Sequence, residues 1–197
     1  MKSEKQDTWN NKFEGKFPID FQFKHDLYKR WFRIHYLPES KRYPESVMEY
    51  QTVQNRQTII LKDLIGESSE IELLIGMYSS NTNAELEIKT DLGIFKNFMS
   101  IDLYQNQDKI SYGPYDQGDR YETYLMSTKL KINELLTTLR QIADGAYDYR
   151  FSIIDLKKGR IVIPYDGGVD IIMESEKQKE TVKSTYSDWL SSREDGL

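Results

Sequence analysis

The chain contains no cysteine. That absence excludes disulfides, thiolate nucleophiles and thiolate metal sites, and it fits a reducing compartment. Histidine is nearly absent too, with only His25 and His35. A Ser-His-Asp arrangement would need one of them, and no Gly-x-Ser-x-Gly elbow accompanies either. Neither Gly-x-Gly-x-x-Gly nor a Walker pattern occurs, so the common nucleotide cradles are missing. No apolar run approaches the roughly 18 residues that span a bilayer. The polar start Met1-Lys2-Ser3-Glu4-Lys5-Gln6-Asp7 has no apolar signal core behind it. A soluble cytoplasmic protein without membrane association is expected.

A strong charge of one sign is also lacking. The net charge is −5, from 27 basic and 32 acidic residues. Residues 1–50 carry ten Lys and Arg against eight Asp and Glu, whereas 51–150 carry ten against fifteen. A basic patch is therefore confined to the N-terminal third, and nucleic acid is not an expected partner. At 197 residues the chain suits one well-buried core. No internal repeat or low-complexity linker divides it, and the oligomeric state is not legible.

What is abundant is tyrosine, fourteen residues within a 13% aromatic content. Tyrosine suits half-buried sheet faces and protein contact surfaces. The most ordered pattern is the stretch 150–173, three short apolar runs separated by two turn signals. Lys157-Lys158-Gly159 reads as one turn and Asp166-Gly167-Gly168 as the other, since Asp-Gly and Gly-Gly pairs supply the positive φ of tight hairpins. A three-stranded antiparallel meander is predicted there.

Capping signals place the helices. Ser46 with Glu49 forms a capping box that opens a helix running to about Leu64, with Gly66 as its left-handed stop. Its apolar positions are Tyr50, Val53, Ile60, Leu61 and Leu64. Asn133 opens a second helix, whose stripe of Leu135, Leu136, Leu139, Ile142 and Ala143 ends at Gly145. Ser175 with Gln178 opens the last, presenting Val182, Tyr186, Trp189 and Leu190 on one face. Residues 1–16 read as a poorly anchored segment, with Trp9 and Phe13 as docking points.

Strands fill the remainder. From Phe17 to Leu37 the chain is aromatic and alternating, with Trp31, Arg33 and His35 on one side of a strand and Phe32, Ile34 and Tyr36 on the other. Ile71, Leu73, Ile75 and Met77 mark a buried strand over 70–78, and 121–130 reads as another. Residues 79–119 hold apolar islands among turns and give no clear element. The resulting order predicts an α+β domain over 17–197, a largely antiparallel sheet covered by about three helices, ending in the meander and a C-terminal helix.

Four groups of residues invite a chemical reading. Asp155, Asp166 and Asp170 would make a hard-cation site if the meander brought them together, but Asp166 also suits the first position of an Asp-Gly turn. No metal site, catalytic set or cofactor is assigned on this ground. His25 and His35 read as solvated or hydrogen-bonded surface residues. Lys24, His25, Lys29, Arg30 and Arg33 crowd beside Tyr28, Trp31 and Phe32. Such a mixture stacks bases, packs Arg stems along rings, or anchors a protein partner. Tyr28, Arg30, Trp31 and Arg33 are the candidate partner contacts. The pairs Glu70/Glu72 and Glu85/Glu87 alternate and read as the wet face of a sheet.

Three segments carry a family resemblance. Ile163-Pro164-Tyr165-Asp166-Gly167-Gly168-Val169-Asp170 resembles the characteristic hairpin of the bacterial family known as domain of unknown function 3885. The helix from Leu135 to Gly145 and the ending from Trp189 to Leu197 are similar to that family as well. The resemblance covers about half the chain and implies kinship, not an activity. Small acidic bacterial proteins of this kind suggest, by analogy, an immunity-like role. Tyr165, Asp166, Gly167, Gly168 and Asp170 form the candidate functional hairpin. The expected function is a non-catalytic protein-binding module, and the alternative is metal-assisted hydrolysis on Asp166 and Asp170.

Overall fold

The computed structural model describes residues 2–16, 19–79, 120–144, 150–193 and 196. Six strands form one antiparallel sheet: β1 (Trp31–His35), β2 (Ser68–Ser79), β3 (Arg120–Lys131), β4 (Arg150–Asp155), β5 (Arg160–Tyr165) and β6 (Gly168–Ile172). Their order across the sheet is β1-β6-β5-β4-β2-β3. The expected meander is β4-β5-β6, and the N-terminal strand β1 crosses back to pair with its last member. The expected α+β class holds. The apolar islands of 80–119 lie outside the described residues, as do Glu85, Glu87 and Gly145.

Five helices are described: α1 (Lys2–Phe13), α2 (Asp20–Asp26), α3 (Val47–Leu64), α4 (Ile132–Ala143) and α5 (Glu176–Thr185). The three anticipated from capping signals are α3, α4 and α5, although α4 begins at Ile132, so Asn133 lies inside it and is not its cap. Ser46 Oγ accepts from the Glu49 amide and Ser175 Oγ from the Gln178 amide, both at 3.3 Å. The Glu49 carboxylate reaches back one residue further than the box requires, to the Glu45 amide at 2.7 Å. Gly66 ends α3 with φ of +101°, its amide bonded to the Leu61 carbonyl.

Alternation along the strands divides the core into two. On one face Phe32, Ile34, Val162, Ile171, Ile153 and Leu73 pack against Val53, Ile60 and Leu64 of α3 and Leu135 and Leu139 of α4. On the other face Ile154, Ile161, Ile172 and Leu74 meet Trp9 and Phe13 of α1 and Phe23 and Leu27 of α2. Each such side chain contributes roughly 1.5–3 kcal/mol on burial. The sheet is thus covered on both sides, and the second cover departs from the sequence reading in two ways. The segment 1–16, expected to be poorly anchored, carries a helix whose Trp9 and Phe13 are fully buried, with the Trp9 indole donating to the Lys16 carbonyl at 2.7 Å. The alternating stretch from residue 17 is not all extended: 20–26 is helical, and Tyr28–Arg30 is a 3-10 turn before β1 begins. Phe23 and Leu27, four apart, lie on the buried side of that short helix.

Burial also reaches polar groups. Glu72, expected on a wet face, is buried, while Glu70 is exposed and pairs with Lys157 at 2.6 Å. The reason is the α1–α2 layer, which covers the face of β2 that an uncovered sheet would leave wet.

The two turns of the meander work differently from each other. Gly159, in the first turn, takes φ of +62°. Gly167 and Gly168 do not take positive φ, so their left-handed role is corrected to a steric one. A Cβ on Gly168 would collide with the Ile34 carbonyl oxygen and lie 2.9 Å from the Tyr165 hydroxyl oxygen. A Cβ on Gly167 would lie 3.0 Å from the Tyr165 ring, a milder approach. Gly168 therefore lets β1 and the Tyr165 ring close over the same point of the sheet. In urea titrations Gly168→Ala is expected to cost about 2–3 kcal/mol, as overpacking against backbone does. Gly167→Ala should cost less than half of that, and equal costs for the two would overturn this account.

Candidate functional site

The hairpin between β5 and β6 lies beside β1 because the register pairs Arg33 with Asp170 and His35 with Gly168. On β5 the same rows continue to Ile163 and Tyr165. Period-two alternation then puts Arg33, His35, Tyr165 and Asp170 on the sheet face that carries α1 and α2. Beyond the end of α2 this face opens into a cleft of about 760 Å³.

Two carboxylate–guanidinium pairs organise its floor and rim. Asp170 takes Arg33 in a two-pronged grip, Nε to Oδ1 at 2.6 Å and Nη2 to Oδ2 at 2.8 Å. Burial works against the Arg33 charge, but the Asp170 carboxylate more than offsets it and raises the guanidinium above its ordinary pKa. The Arg33 guanidinium also lies 4.7 Å from the centre of the Tyr165 ring, a cation–π stack. Burial pushes the Tyr165 hydroxyl up to about 12. At the turn, Asp166 Oδ2 accepts from the Tyr43 hydroxyl at 2.8 Å and pairs with Arg42 Nε at 2.7 Å. The loop that brings Arg42 and Tyr43 there contains Glu39 and Ser40, both at positive φ (+56° and +57°). Consecutive non-glycine residues in that region are strained, and such strain gathers near functional surfaces.

His35 sits between these pairs with 6% of its surface exposed, and its Nε2 has no hydrogen-bond partner among the described residues. The expectation of a surface histidine is corrected for His35, because β1 is covered by Arg42 and Tyr165 at this point. His25 is exposed as expected. Burial first, and then the nearby Arg33 charge, hold the His35 imidazole below its usual pKa; Asp170 opposes this and Arg56 adds to it. An unpartnered buried polar atom costs about 1–3 kcal/mol.

The candidate partner contacts separate into different roles. Tyr28 is 62% exposed, with Lys29 Nζ 5.9 Å from its ring centre. Arg30 is buried, not a surface contact. Its Nη1 donates to the Lys12 carbonyl at 2.8 Å and the Glu174 carbonyl at 2.9 Å, tying α1, β1 and the approach to α5 together. Trp31 is half-buried, and Arg33 belongs to the cleft. The triad of carboxylates does not assemble. Asp155 ends β4 opposite Arg160, about 17 Å along β5 from Tyr165 at 3.3–3.4 Å per residue. There it accepts from the Lys158 amide at 2.9 Å and closes its own turn. Among the described residues no group of three His, Asp or Glu is placed to hold a metal ion.

Lys24 of α2 was singled out in the basic-aromatic stretch, whereas Phe21 of α2, Ser40 and Arg42 of the loop after β1, and Arg150 at the start of β4 had no sequence signal. Arg150 Nε lies 3.5 Å from Asp20 Oδ2. With Arg193, the lining carries five basic side chains against the three carboxylates Asp20, Asp166 and Asp170, a local surplus of positive charge in an acidic chain.

The chain belongs to the family described as Domain of unknown function (DUF3885), whose model matches residues 19–194. Helix α1 precedes the matched region, while the cleft and hairpin fall inside it. The chain matches none of the curated proteins and none of the solved structures with which it was compared.

Two stability consequences follow from the geometry. Asp170→Asn strands the half-buried Arg33 cation and is expected to cost about 3 kcal/mol, the usual penalty for breaking a buried pair. Asp166→Asn faces the largely exposed Arg42 and should cost under about 1 kcal/mol. Chemical denaturation distinguishes them, and a reversed order would refute the assignment of the floor pair.

The His35 contribution is expected to depend on pH. Its folded pKa is below the unfolded value of about 6.5, so the unfolded chain binds more protons as pH falls. The associated stability is present above pH 6.5 and is lost as pH drops toward the folded pKa. His35→Gln should flatten the stability slope between pH 7.5 and 5.5, measured by thermal melts (the window brackets the ordinary histidine pKa of about 6.5). Identical slopes in the two proteins would show that His35 carries no such linkage.

Proposed function

We propose that this protein is a non-catalytic protein-binding module that acts in the cytoplasm and is immunity-like, covering a partner protein. The observation that carries the reading is an exposed aromatic and apolar surface at the start of α3. Tyr43, Val47 and Met48 are 52%, 74% and 77% exposed, and Tyr50 lies partly exposed beside them. Tyrosine and methionine are favoured interface anchors, the first for its rigid amphipathic ring and the second for its adaptable thioether. The hairpin serves this surface. Asp166 fixes the Tyr43 hydroxyl, and Arg42 lies 5.5 Å from the Tyr43 ring centre, so the anchor is held before a partner arrives. Among the described residues no helix is long and apolar enough to cross a membrane. The acidic balance of the chain disfavours nucleic acid as the partner.

The test places a photo-crosslinking side chain at Met48 in cells, with one at Glu180 on α5 as a remote control. A protein species captured from position 48 and not from 180 is then purified and its affinity measured by calorimetry. Tyr43→Ser and Met48→Ser are each expected to weaken the pair by roughly tenfold or more, as loss of an interface anchor does, with unchanged melting temperatures. An immunity role further requires that the partner be toxic alone and harmless when co-expressed. Affinity indifferent to both substitutions would overturn the proposed surface.

A further inference from the structure

The charged cleft has properties that the Tyr43–Tyr50 surface does not explain. Its volume of about 760 Å³ suits a small organic molecule, not a protein side chain or two. His35, 94% buried, is among its lining residues, and its buried Nε2 has no hydrogen-bond partner among the described residues. Lys24 has no carboxylate partner among the described residues. The Arg42 side chain, 62% exposed, pairs with Asp166 through Nε at the rim. No hydrogen bond of the Tyr165 hydroxyl is found among the described residues. Several donors therefore face one space from α2, β1, β5 and the loop after β1, within a lining that carries surplus positive charge.

We propose that the cleft is a binding site for a small phosphorylated organic molecule, with His35 and Tyr165 at its floor and Lys24 and Arg42 at its rim. A phosphate monoester offers three acceptor oxygens and nearly two negative charges, which matches donors arriving from several directions. A guanidinium fork and a lysine ammonium together are a common setting for such a group. The organic part has apolar wall to rest on, since Phe21, Ile163 and Pro164 also line the cleft. A ligand oxygen at His35 would satisfy the nitrogen that the fold leaves bare. The same pocket chemistry would accept a polycarboxylate, and the experiment separates the two.

Calorimetric titration of the full chain uses adenosine monophosphate and glucose 6-phosphate, with adenosine, glucose and citrate as comparators. At least one phosphorylated probe is expected to bind with a dissociation constant of about 100 μM or tighter, while its unphosphorylated counterpart does not bind measurably. Lys24→Ala and His35→Gln should each weaken that binding by roughly tenfold, with thermal melts confirming that both variants fold. Citrate binding tighter than either phosphorylated probe would overturn the phosphate assignment. So would the absence of binding by both phosphorylated probes at millimolar concentration, or binding that survives both substitutions. Because neither variant touches Tyr43 or Met48, failure here leaves the protein-binding test independent.

Discussion

The pairing of β1 with β6 is the constraint on which the rest of the structure depends. It joins residues near the start of the chain to residues near its end, with Arg33 and Asp170 separated by 137 positions. Closing a loop of that length costs conformational entropy that no local signal offsets. The offset comes from two directions at once. Phe32 and Ile34 enter the core under α3 and α4, while Arg33 meets Asp170 on the opposite face. Arg30 and Met173 close the pair's near end, the Met173 amide donating to the Arg30 carbonyl and the Arg30 guanidinium reaching Lys12 and Glu174. Without β1 the hairpin would be an exposed edge, and neither the cleft nor the seat of Tyr43 would exist.

That arrangement places polar and charged groups where an apolar layer would pack more stably. Arg33, His35 and Asp170 occupy sheet positions in line with Ile163 and one row from Ile172, and they line the cleft beside α2. A fold selected for stability alone gains by filling such positions with hydrophobic side chains, since buried ion pairs contribute little beyond their desolvation cost. Retaining a two-pronged salt bridge, a stacked tyrosine and an unpartnered imidazole in one place is the kind of local departure that proteins maintain at working sites. The strained residues Glu39 and Ser40 lie on the loop that also carries Arg42 to Asp166.

Local chemistry was legible in the sequence and distant partnership was not. Ser46 with Glu49, and Ser175 with Gln178, announce helix starts because a cap is satisfied within four residues. The meander was readable for the same reason, with its turns carried by Gly159 and by Asp166-Gly167-Gly168. Even there the physical reason was only half visible: Gly168 is small because the backbone of β1, paired beside it from the other end of the chain, and the Tyr165 hydroxyl approach it closely, not because its φ is positive. Helix α2 escaped because seven residues hold too few turns for a periodic signal, and its His25 and Lys24 lie among aromatics that also suit a strand. The burial of Arg30, His35 and Glu72 escaped because whether a sheet face is wet depends on what covers it. For Arg30 part of that cover is α1, through the Lys12 carbonyl, in a segment whose composition suggested weak anchoring.

The basic-aromatic stretch shows how one composition divides into separate tasks once it folds. Its cations do not form a single patch. The 3-10 turn at Tyr28–Arg30 and the strand that follows send Arg30 inward to backbone carbonyls, Arg33 across to Asp170, and Lys29 outward beside Tyr28. Lys24, one turn of α2 earlier, faces the cleft. The five cations that line the cleft come from five separate segments: α2, β1, the loop after it, the start of β4 and the stretch after α5. A surplus assembled in this way leaves no basic run in the sequence, and the chain as a whole stays acidic. Screening limits the reach of such a local surplus to about 10 Å at ordinary salt, so its field acts inside the cleft and not over the chain as a whole.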